Sequence, residues 1–525
     1  MRDFQAPGRS PVYAANGLCA TSHPLAAQAA VRLLQEGGNA VDAAIAAAVL
    51  LGLAEPAMCG IGGDCFVLLK PAGTERLVGL NGSGRAPAGL DPAALRAAGH
   101  GQIPPRSAHA VTVPGAVDAF ARLAADWGRL GLAASLAPAI RYAEEGVPVA
   151  PRVAWDWARY AGDLQGDARR FYLREGEPPT VGERFRAPGQ AEVLRRIARD
   201  GRDAFYVGEV AEDMVSSLRA LGGTHTLDDF AATACTYIEP IAGSYRANEL
   251  VELPPNGQGA TAILLAKILA RFDLALLEPF GAARAHLEAE AAKLAYDARN
   301  RFVADPDAGS LRLAHMLSDA TADALAALID PGRVLGDPAA VTEAVHRETV
   351  YLCVVDRDRM AVSLIYSTYH DFGSGLASTR FGINFQSRGA GFTLRAGHPN
   401  EAGGGKRPMH TIIPAMLRRE GRLVMPFGVM GGAYQPAGHV RLLTNLVDFG
   451  LDPQDAIDAP RSFADAGEMQ LETGYSESVA AELATLGHKV TRRDAPLGGA
   501  QAILIEDDVL VGASDPRKDG CAAGY

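Results

Sequence analysis

Thr349 is followed at once by Val350-Tyr351-Leu352-Cys353-Val354-Val355-Asp356, an apolar run with several β-branched residues that closes on an acid. A threonine at the head of such a run can do chemistry if the peptide bond before it breaks. Scission of Glu348–Thr349 would leave a hydroxyl and a free α-amine on one residue. An α-amino group has a reference pKa of about 7.7–8.0, so it can accept a proton near neutral pH. A hydroxyl alone is a weak nucleophile, and an adjacent N-terminal amine is one way to activate it. The competing reading is a β-branched residue that merely starts a half-buried strand. Taken alone, the stretch favours that competitor, and the balance rests on what surrounds it.

Other residues could join such a site. Gly431-Gly432 follows the apolar run 425–429 and could present backbone amides to an oxyanion, or be an ordinary turn. Ser367 ends another strand-like run, where it either supports a nucleophile or faces solvent. Arg85, in Asn81-Gly82-Ser83-Gly84-Arg85-Ala86-Pro87, could bind a carboxylate or sit in a surface turn. Gly373-Ser374-Gly375 lacks the spacing of a nucleophile elbow. Metalloprotease and phosphate-loop patterns are absent, and Gly60-Ile61-Gly62-Gly63 is only a partial dinucleotide fingerprint. His370, His398, His410 and His439 are not at metal-ligand spacing, and the six cysteines form no zinc-like pairs.

The elements that must hold these residues can be sketched. Pro24 opens a helix whose Ala26, Ala29, Ala30, Leu33 and Leu34 recur at helical spacing and which Gly37-Gly38-Asn39 ends. A second, alanine-rich helix starts at Val41 and stops near Glu55-Pro56, and a glycine-rich loop and a strand over 66–69 follow. Residues 115–345 read as mostly helical, with helices at 117–125, 136–145, 190–199, 261–269 and 282–301. After Val350 the pattern changes to short strands at 351–355, 360–366, 382–385, 423–429 and 502–506. Helices first and strands later suit a layered α/β sandwich with strands from both halves.

Bulk properties narrow the function. A chain of 525 residues, 48% hydrophobic and 21% charged, is globular rather than disordered. A net charge of −11 without long runs of one sign argues against a nucleic-acid partner. The first residues lack the apolar core of a secretory signal, and the alanine-rich stretch 40–54 is too short for a membrane span and contains Asp42. The expectation is a cytoplasmic protein without a membrane partner.

Taken in order, the motifs resemble the γ-glutamyltransferase family of self-processing N-terminal-nucleophile hydrolases. They run from Gly17-Leu18-Cys19-Ala20-Thr21-Ser22-His23-Pro24 through Gly37-Gly38-Asn39-Ala40-Val41-Asp42 and Gly60-Ile61-Gly62-Gly63 to Pro254-Pro255-Asn256-Gly257-Gln258-Gly259. The Thr349 segment, Lys406-Arg407-Pro408, Gly431-Gly432 and Ala513-Ser514-Asp515-Pro516-Arg517 complete the series. The resemblance implies a four-layer αββα sandwich and self-cleavage into a large subunit, 1–348, and a small subunit, 349–525. The two would remain associated as an αβ heterodimer, with further pairing open. It implies no cofactor and no metal. It also implies that Thr349 attacks an amide carbonyl to give an acyl-enzyme, with Gly431 and Gly432 as oxyanion donors and Ser367 supporting the nucleophile. Tyr351, Tyr369, His410 and Thr411 would line the substrate pocket.

The chain departs from the family pattern in informative ways. Where the family clamps the glutamyl carboxylate with an arginine, Ser83 stands here and Arg85 lies two positions later. Where the family holds the α-amine with an acid, the segment reads Arg388-Gly389-Ala390-Gly391-Phe392. Thr349-Val350-Tyr351 and 366–372 also replace a more polar wall, a pattern similar to a side branch with glutaryl-cephalosporin acylase-like and oxamate amidohydrolase-like members. The segment 400–405, expected to form the lid, is short and glycine-rich, which predicts an open site and hydrolysis over acyl transfer. The resulting expectation is an N-terminal-threonine amidohydrolase acting on γ-glutamyl or similar amides such as glutathione. The alternatives are a small-amide hydrolase for oxamate or glutaryl groups, and an unprocessed, inactive carboxylate binder.

Overall fold

The computed structural model describes residues 8–309, 311–336 and 349–525. Glu348 lies outside the described residues, and Thr349 is the first residue after the gap.

Strand parity dictates the layering. Along Val350–Val355, residues 350, 352 and 354 join a core shared with helices, while 351, 353 and 355 join a core between two sheets. Ala361–Ser367 and Asp64–Lys70 alternate in the same way, with Val362, Leu364, Cys65 and Val67 outward and Ile365, Phe66 and Leu68 inward. Each strand is therefore buried on both faces, which requires helices outside and a second sheet inside.

The first antiparallel sheet has the order Cys521–Gly524, Leu18–Thr21, Val350–Val355, Ala361–Ser367, Asp64–Lys70, Val78–Gly82, Thr236–Ile238. The second has the order Val12–Ala14, Leu510–Ser514, Gly499–Ile505, Arg422–Met430, Ala415–Arg419, Asn248–Glu252, Ile241–Tyr245, also antiparallel. Helices including Pro24–Gln35 and Ala40–Ala54 cover the first sheet, and Gly259–Leu269, Ala282–Phe302 and Gln435–Val447 cover the second. This is the expected four-layer αββα sandwich. Both sheets mix strands from before and after Thr349, so the two stretches are interleaved rather than side by side.

Local chemistry explains the elements that fix the Thr349 strand. Ala40–Ala54 begins with a capping box in which Asn39 and Asp42 satisfy each other's backbone donors. Its small side chains are all buried, which lets it lie close against the first sheet. Asp356 joins that helix to the far end of the strand: Oδ2 accepts from Ala40 N at 3.0 Å and Oδ1 from Met360 N at 3.0 Å.

Two readings of local structure change. Residues 382–385 form no strand, only a single bridge between Ala377 and Asn384, because Phe385 and Gln386 bond to the loops at Ser374 and Gly62. The largely helical stretch also contains the hairpin Ile241–Tyr245/Asn248–Glu252. Its turn carries Arg246 at φ 53, with no glycine or asparagine at the positions that usually announce a hairpin.

Candidate active site

The register of the first sheet places three polar residues in one row. Val350 pairs with Tyr366, so Thr349, one step earlier, stands opposite Ser367; Ser367 in turn pairs with Asp64. Parity puts all three on the inner face, beside Tyr351, Ile365 and Phe66 of the inter-sheet core. Cross-strand neighbours have Cβ atoms roughly 4.5–5.5 Å apart, so the hydroxyls of Thr349 and Ser367 are within reach of each other. Thr349 is buried, 1% exposed.

The Ser367 hydroxyl is committed as an acceptor. It takes a hydrogen bond from Tyr369 N at 2.8 Å and another from Arg388 Nη2 at 3.3 Å. With both lone-pair positions used, its own proton is directed at a further acceptor, and the register puts Thr349 beside it. Tyr369 is held at φ 86, which turns its amide back towards Ser367. The loop below is equally close: a side chain on Gly63 would meet Ser367 O at 2.5 Å, so only glycine fits there.

Arg388 is the residue that the sequence reading missed. Its guanidinium is fully buried, donates from Nη1 to Thr411 Oγ1 at 3.1 Å, and lies over the Tyr369 ring at 4.1 Å. Its Nε is buried without a hydrogen-bond partner, and none of the described carboxylates forms an ion pair with it. Burial pushes its pKa down to about 9, partly opposed by Asp64, so it is cationic at neutral pH. A buried cation satisfied only by hydroxyls and an aromatic face is costly unless an anion arrives.

Asp64 gathers the surrounding loops. Oδ1 accepts from Gly84 N at 2.9 Å, Gly115 N at 3.1 Å and Gln386 Nε2 at 2.9 Å, and Oδ2 stands 3.0 Å from His410 Nε2. Ile412 N donates to His410 Nδ1, which leaves Nε2 to carry the proton toward Asp64. Burial, assisted by Arg388, lowers the His410 pKa to about 3, so the ring is neutral. Asp64 closes the glycine-rich stretch at 59–63, and that position was its only signal in the sequence.

The second sheet supplies the opposite wall. Arg422–Met430 crosses Val350–Val355, and a side chain on Gly428 would meet the Tyr351 ring at 2.5 Å. At the end of that strand, Gly431 (φ 115) and Gly432 (φ 56) turn the backbone through the left-handed region, which glycine enters at little cost. Gln258 connects this turn to the Arg388 network, donating from Nε2 to Gly432 O at 2.9 Å and to Thr411 O at 2.7 Å.

The structure thus gathers Ser367, Tyr369, Arg388, His410 and Thr411 into one hydrogen-bonded network, with Thr349 next to it by register. Two expected pocket residues fall elsewhere. Tyr351 lies one pitch deeper on the inner face, where it packs in the inter-sheet core and hydrogen-bonds Ser363 Oγ at 2.7 Å. Arg85, 40% exposed, pairs with Asp307 at 2.7 Å and Asp305 at 3.4 Å, so its charge is neutralised at the surface. Ser83 is buried and donates to Asn81 Oδ1 at 2.7 Å. The segment 400–405 is fastened down: Ala402 packs with Ala86, Leu90 and Phe392, and Glu401 pairs with Arg96 at 2.7 Å.

Two facing antiparallel sheets between helical layers, with Thr349 at the head of a central strand, form the sandwich of the N-terminal-nucleophile hydrolases. Residues 26–525 match the family described as Gamma-glutamyltranspeptidase, and the chain belongs to it. It is 35% identical to the glutathione hydrolase-like YwrD proenzyme of Bacillus subtilis (strain 168), over 96% of this chain and 97% of that one. It is 34% identical to the oxamate amidohydrolase proenzyme of Klebsiella pneumoniae, over 97% and 98%. Among solved structures, a cephalosporin acylase from Bacillus halodurans superposes with a TM-score of 0.92 at 39% identity, covering 100% of this chain and 99% of that one. The protein is accordingly an amide hydrolase or acyltransferase. Among the described residues, no helix is long and apolar enough to cross a membrane.

Proposed function

We propose that the protein cuts itself before Thr349 and then hydrolyses amides whose acyl part carries a carboxylate near the scissile carbonyl and no amino group beside it. One observation carries this reading: the buried guanidinium of Arg388, without an ion-pair partner among the described residues and hydrogen-bonded to Ser367, the cross-strand neighbour of Thr349.

The chemistry then runs through the chain's own groups. The freed α-amine of Thr349 takes the proton of its hydroxyl, and the oxygen adds to the substrate carbonyl. Gly431 and Gly432 amides would receive the oxyanion, one such donor being worth about 2.7–4 kcal/mol. The amine leaves with the proton, an ester to Thr349 remains, and water cleaves it by the same route in reverse. Ser367 positions the nucleophile, and Arg388 anchors the carboxylate through Nε and the remaining hydrogens on its Nη atoms. Cutting at 348/349 would give subunits 1–348 and 349–525, held together by shared sheets.

Charge and reach both select the acyl group. An α-ammonium roughly 5 Å from Arg388 at an effective dielectric of 20 is repelled by about 3 kcal/mol, near a hundredfold in rate. A γ-glutamyl group carries that ammonium and a glutaryl group does not. The row geometry puts the guanidinium roughly 6–8 Å from the nucleophile, which favours acyl groups of two or three carbons such as oxamate. The name of the Klebsiella relative, an oxamate amidohydrolase, supports the same region of substrate space.

Matched substrates test this directly. Oxamate against oxamide isolates the carboxylate, and a glutaryl anilide against its γ-glutamyl counterpart isolates the amine. The expected order is oxamate over oxamide and glutaryl over γ-glutamyl. A preference for γ-glutamyl over glutaryl would overturn the proposal.

A further inference from the structure

A second cluster of reactive side chains lies away from Thr349, beneath the helix Ala282–Phe302. His286 and Glu290, one turn apart on this helix, meet His488, which follows the helix Glu477–Thr485. His286 Nδ1 is 2.8 Å from His488 Nε2, and Glu290 Oε1 is 4.0 Å and 3.9 Å from those two nitrogens. The side chains of His286 and Glu290 are fully buried and that of His488 is 5% exposed.

The outer atoms of this cluster are already tied. His286 Nε2 donates to Asp330 O at 2.9 Å, which turns the Nδ1 lone pair inward. Glu290 Oε2 accepts from Leu335 N at 2.8 Å, which leaves Oε1 turned inward, where the Lys293 ammonium faces it. A ring N–H given to a carbonyl and a carboxylate held by a backbone amide are the supports that orient metal ligands.

We propose that His286 Nδ1, Glu290 Oε1 and His488 Nε2 form a divalent transition-metal site of the zinc class. Two imidazoles and one carboxylate suit a borderline ion, and bonds of about 2.0–2.2 Å set tetrahedral ligand atoms roughly 3.4 Å apart. The three observed separations bracket that value. Lys293 Nζ, 2.7 Å from Glu290 Oε1, now supplies the positive charge. It also lines an adjoining cavity of about 190 Å³ together with His488, so a path for the ion and a place for the displaced ammonium coincide. The supporting carbonyl and amide belong to Asp330 and Leu335, so the ion would fasten this strap, upstream of Thr349, to the helix.

The test uses full-length protein stripped by a chelator and titrated with Zn²⁺, and with Co²⁺ as a spectroscopic probe. The expected result is one equivalent of Zn²⁺ and the strong visible bands of four-coordinate Co²⁺. Glu290→Gln and His488→Gln should each weaken Zn²⁺ binding at least tenfold, while Lys293→Met, which removes the resident cation, should bind as tightly or more so. Unfolding temperatures measured without metal separate lost binding from lost folding, and the wild-type Co²⁺ spectrum stands independently of any variant. Failure to bind Zn²⁺, or equal affinity in wild type, Glu290→Gln and His488→Gln, overturns the site and leaves a polar anchor for the strap. Substrate preference does not enter this test, so its failure is separate from any failure of the proposed activity.

Discussion

Replacing Arg388 by methionine removes the buried cation while keeping much of its apolar stem. A carboxylate bound through two charge-assisted hydrogen bonds, each worth about 1.5–3 kcal/mol, would lose roughly 3–6 kcal/mol. At 1.36 kcal/mol per decade this is about two to four orders of magnitude in kcat/KM for oxamate. The side chain also donates to Ser367 and Thr411, so part of any loss could come from a displaced hydroxyl. Oxamide separates the two effects, because a disturbed Ser367 slows both substrates whereas a missing carboxylate anchor slows only oxamate. Intact mass would give the fraction of chain cut before Thr349, and rates would be normalised to it. Arg388→Met should lower oxamate turnover by the stated factor, leave oxamide within about tenfold, and narrow the preference for glutaryl over γ-glutamyl anilide, since the repelling charge is gone. An equal fall on oxamate and oxamide would refute the role of Arg388 as anchor.

Other outcomes follow from the same geometry. Purified wild-type protein should show two masses that meet at 348/349, and Thr349→Ala a single full-length mass; two fragments from the alanine variant would remove Thr349 as the nucleophile. Ser367→Ala should slow both self-cleavage and turnover by about 10–100-fold, the scale of one or two hydrogen bonds at about 1–1.5 kcal/mol each, and Ser367→Thr should recover most of it; unchanged rates would reduce Ser367 to packing. In the C-terminal motif, burial would raise the Asp515 pKa, but Arg461, 2.5 Å away, and Arg517 overcome this and hold it down to about 2. Its folded pKa is thus below the unfolded value of 3.8, so its contribution, about 2 kcal/mol, is complete above that pH and disappears as pH falls toward 2. Denaturant melts of Asp515→Asn should therefore show a deficit at pH 6 that closes by pH 2, and a deficit constant with pH would show that charge is not its source.

Much of this architecture was legible because it is written in short-range patterns. The run after Thr349 reads as a strand from its own residues, and Pro24 announces the helix it opens. What could not be read depends on partners far along the chain. Arg85 looked like a carboxylate binder because Asp305 and Asp307, about 220 residues later, are invisible from its turn. Arg388 was passed over for the opposite reason: its segment was read for the acid that it lacks. Its burial comes from a tight turn, Arg388–Gly391, pressed against Ala110, where a side chain on Gly389 would meet Ala110 O at 2.9 Å. No local pattern reports that contact. Tyr351 shows the converse error, since the resemblance implies a pocket role, whereas its place one pitch deeper on the same inner face packs it in the inter-sheet core.

The interleaving of the two sheets explains why a nucleophile of this kind belongs at the head of a central strand. Val350–Val355 lies between Leu18–Thr21 and Ala361–Ser367, so it reaches its place only when the first and last parts of the chain have folded together. A cut made before folding would turn this pairing into an association of two chains, with the added loss of translational freedom. A cut made after folding leaves the ladder intact, because Thr349 precedes the first paired residue, Val350. The same position would put the α-amine that such a cut frees at the end of the inter-sheet space, level with Ser367 and, through it, one hydrogen bond from Arg388. On the proposed function, folding, cutting and substrate anchoring would be three uses of one register. A one-residue slip of the strand would send the threonine side chain to the helix-facing side and abolish all three.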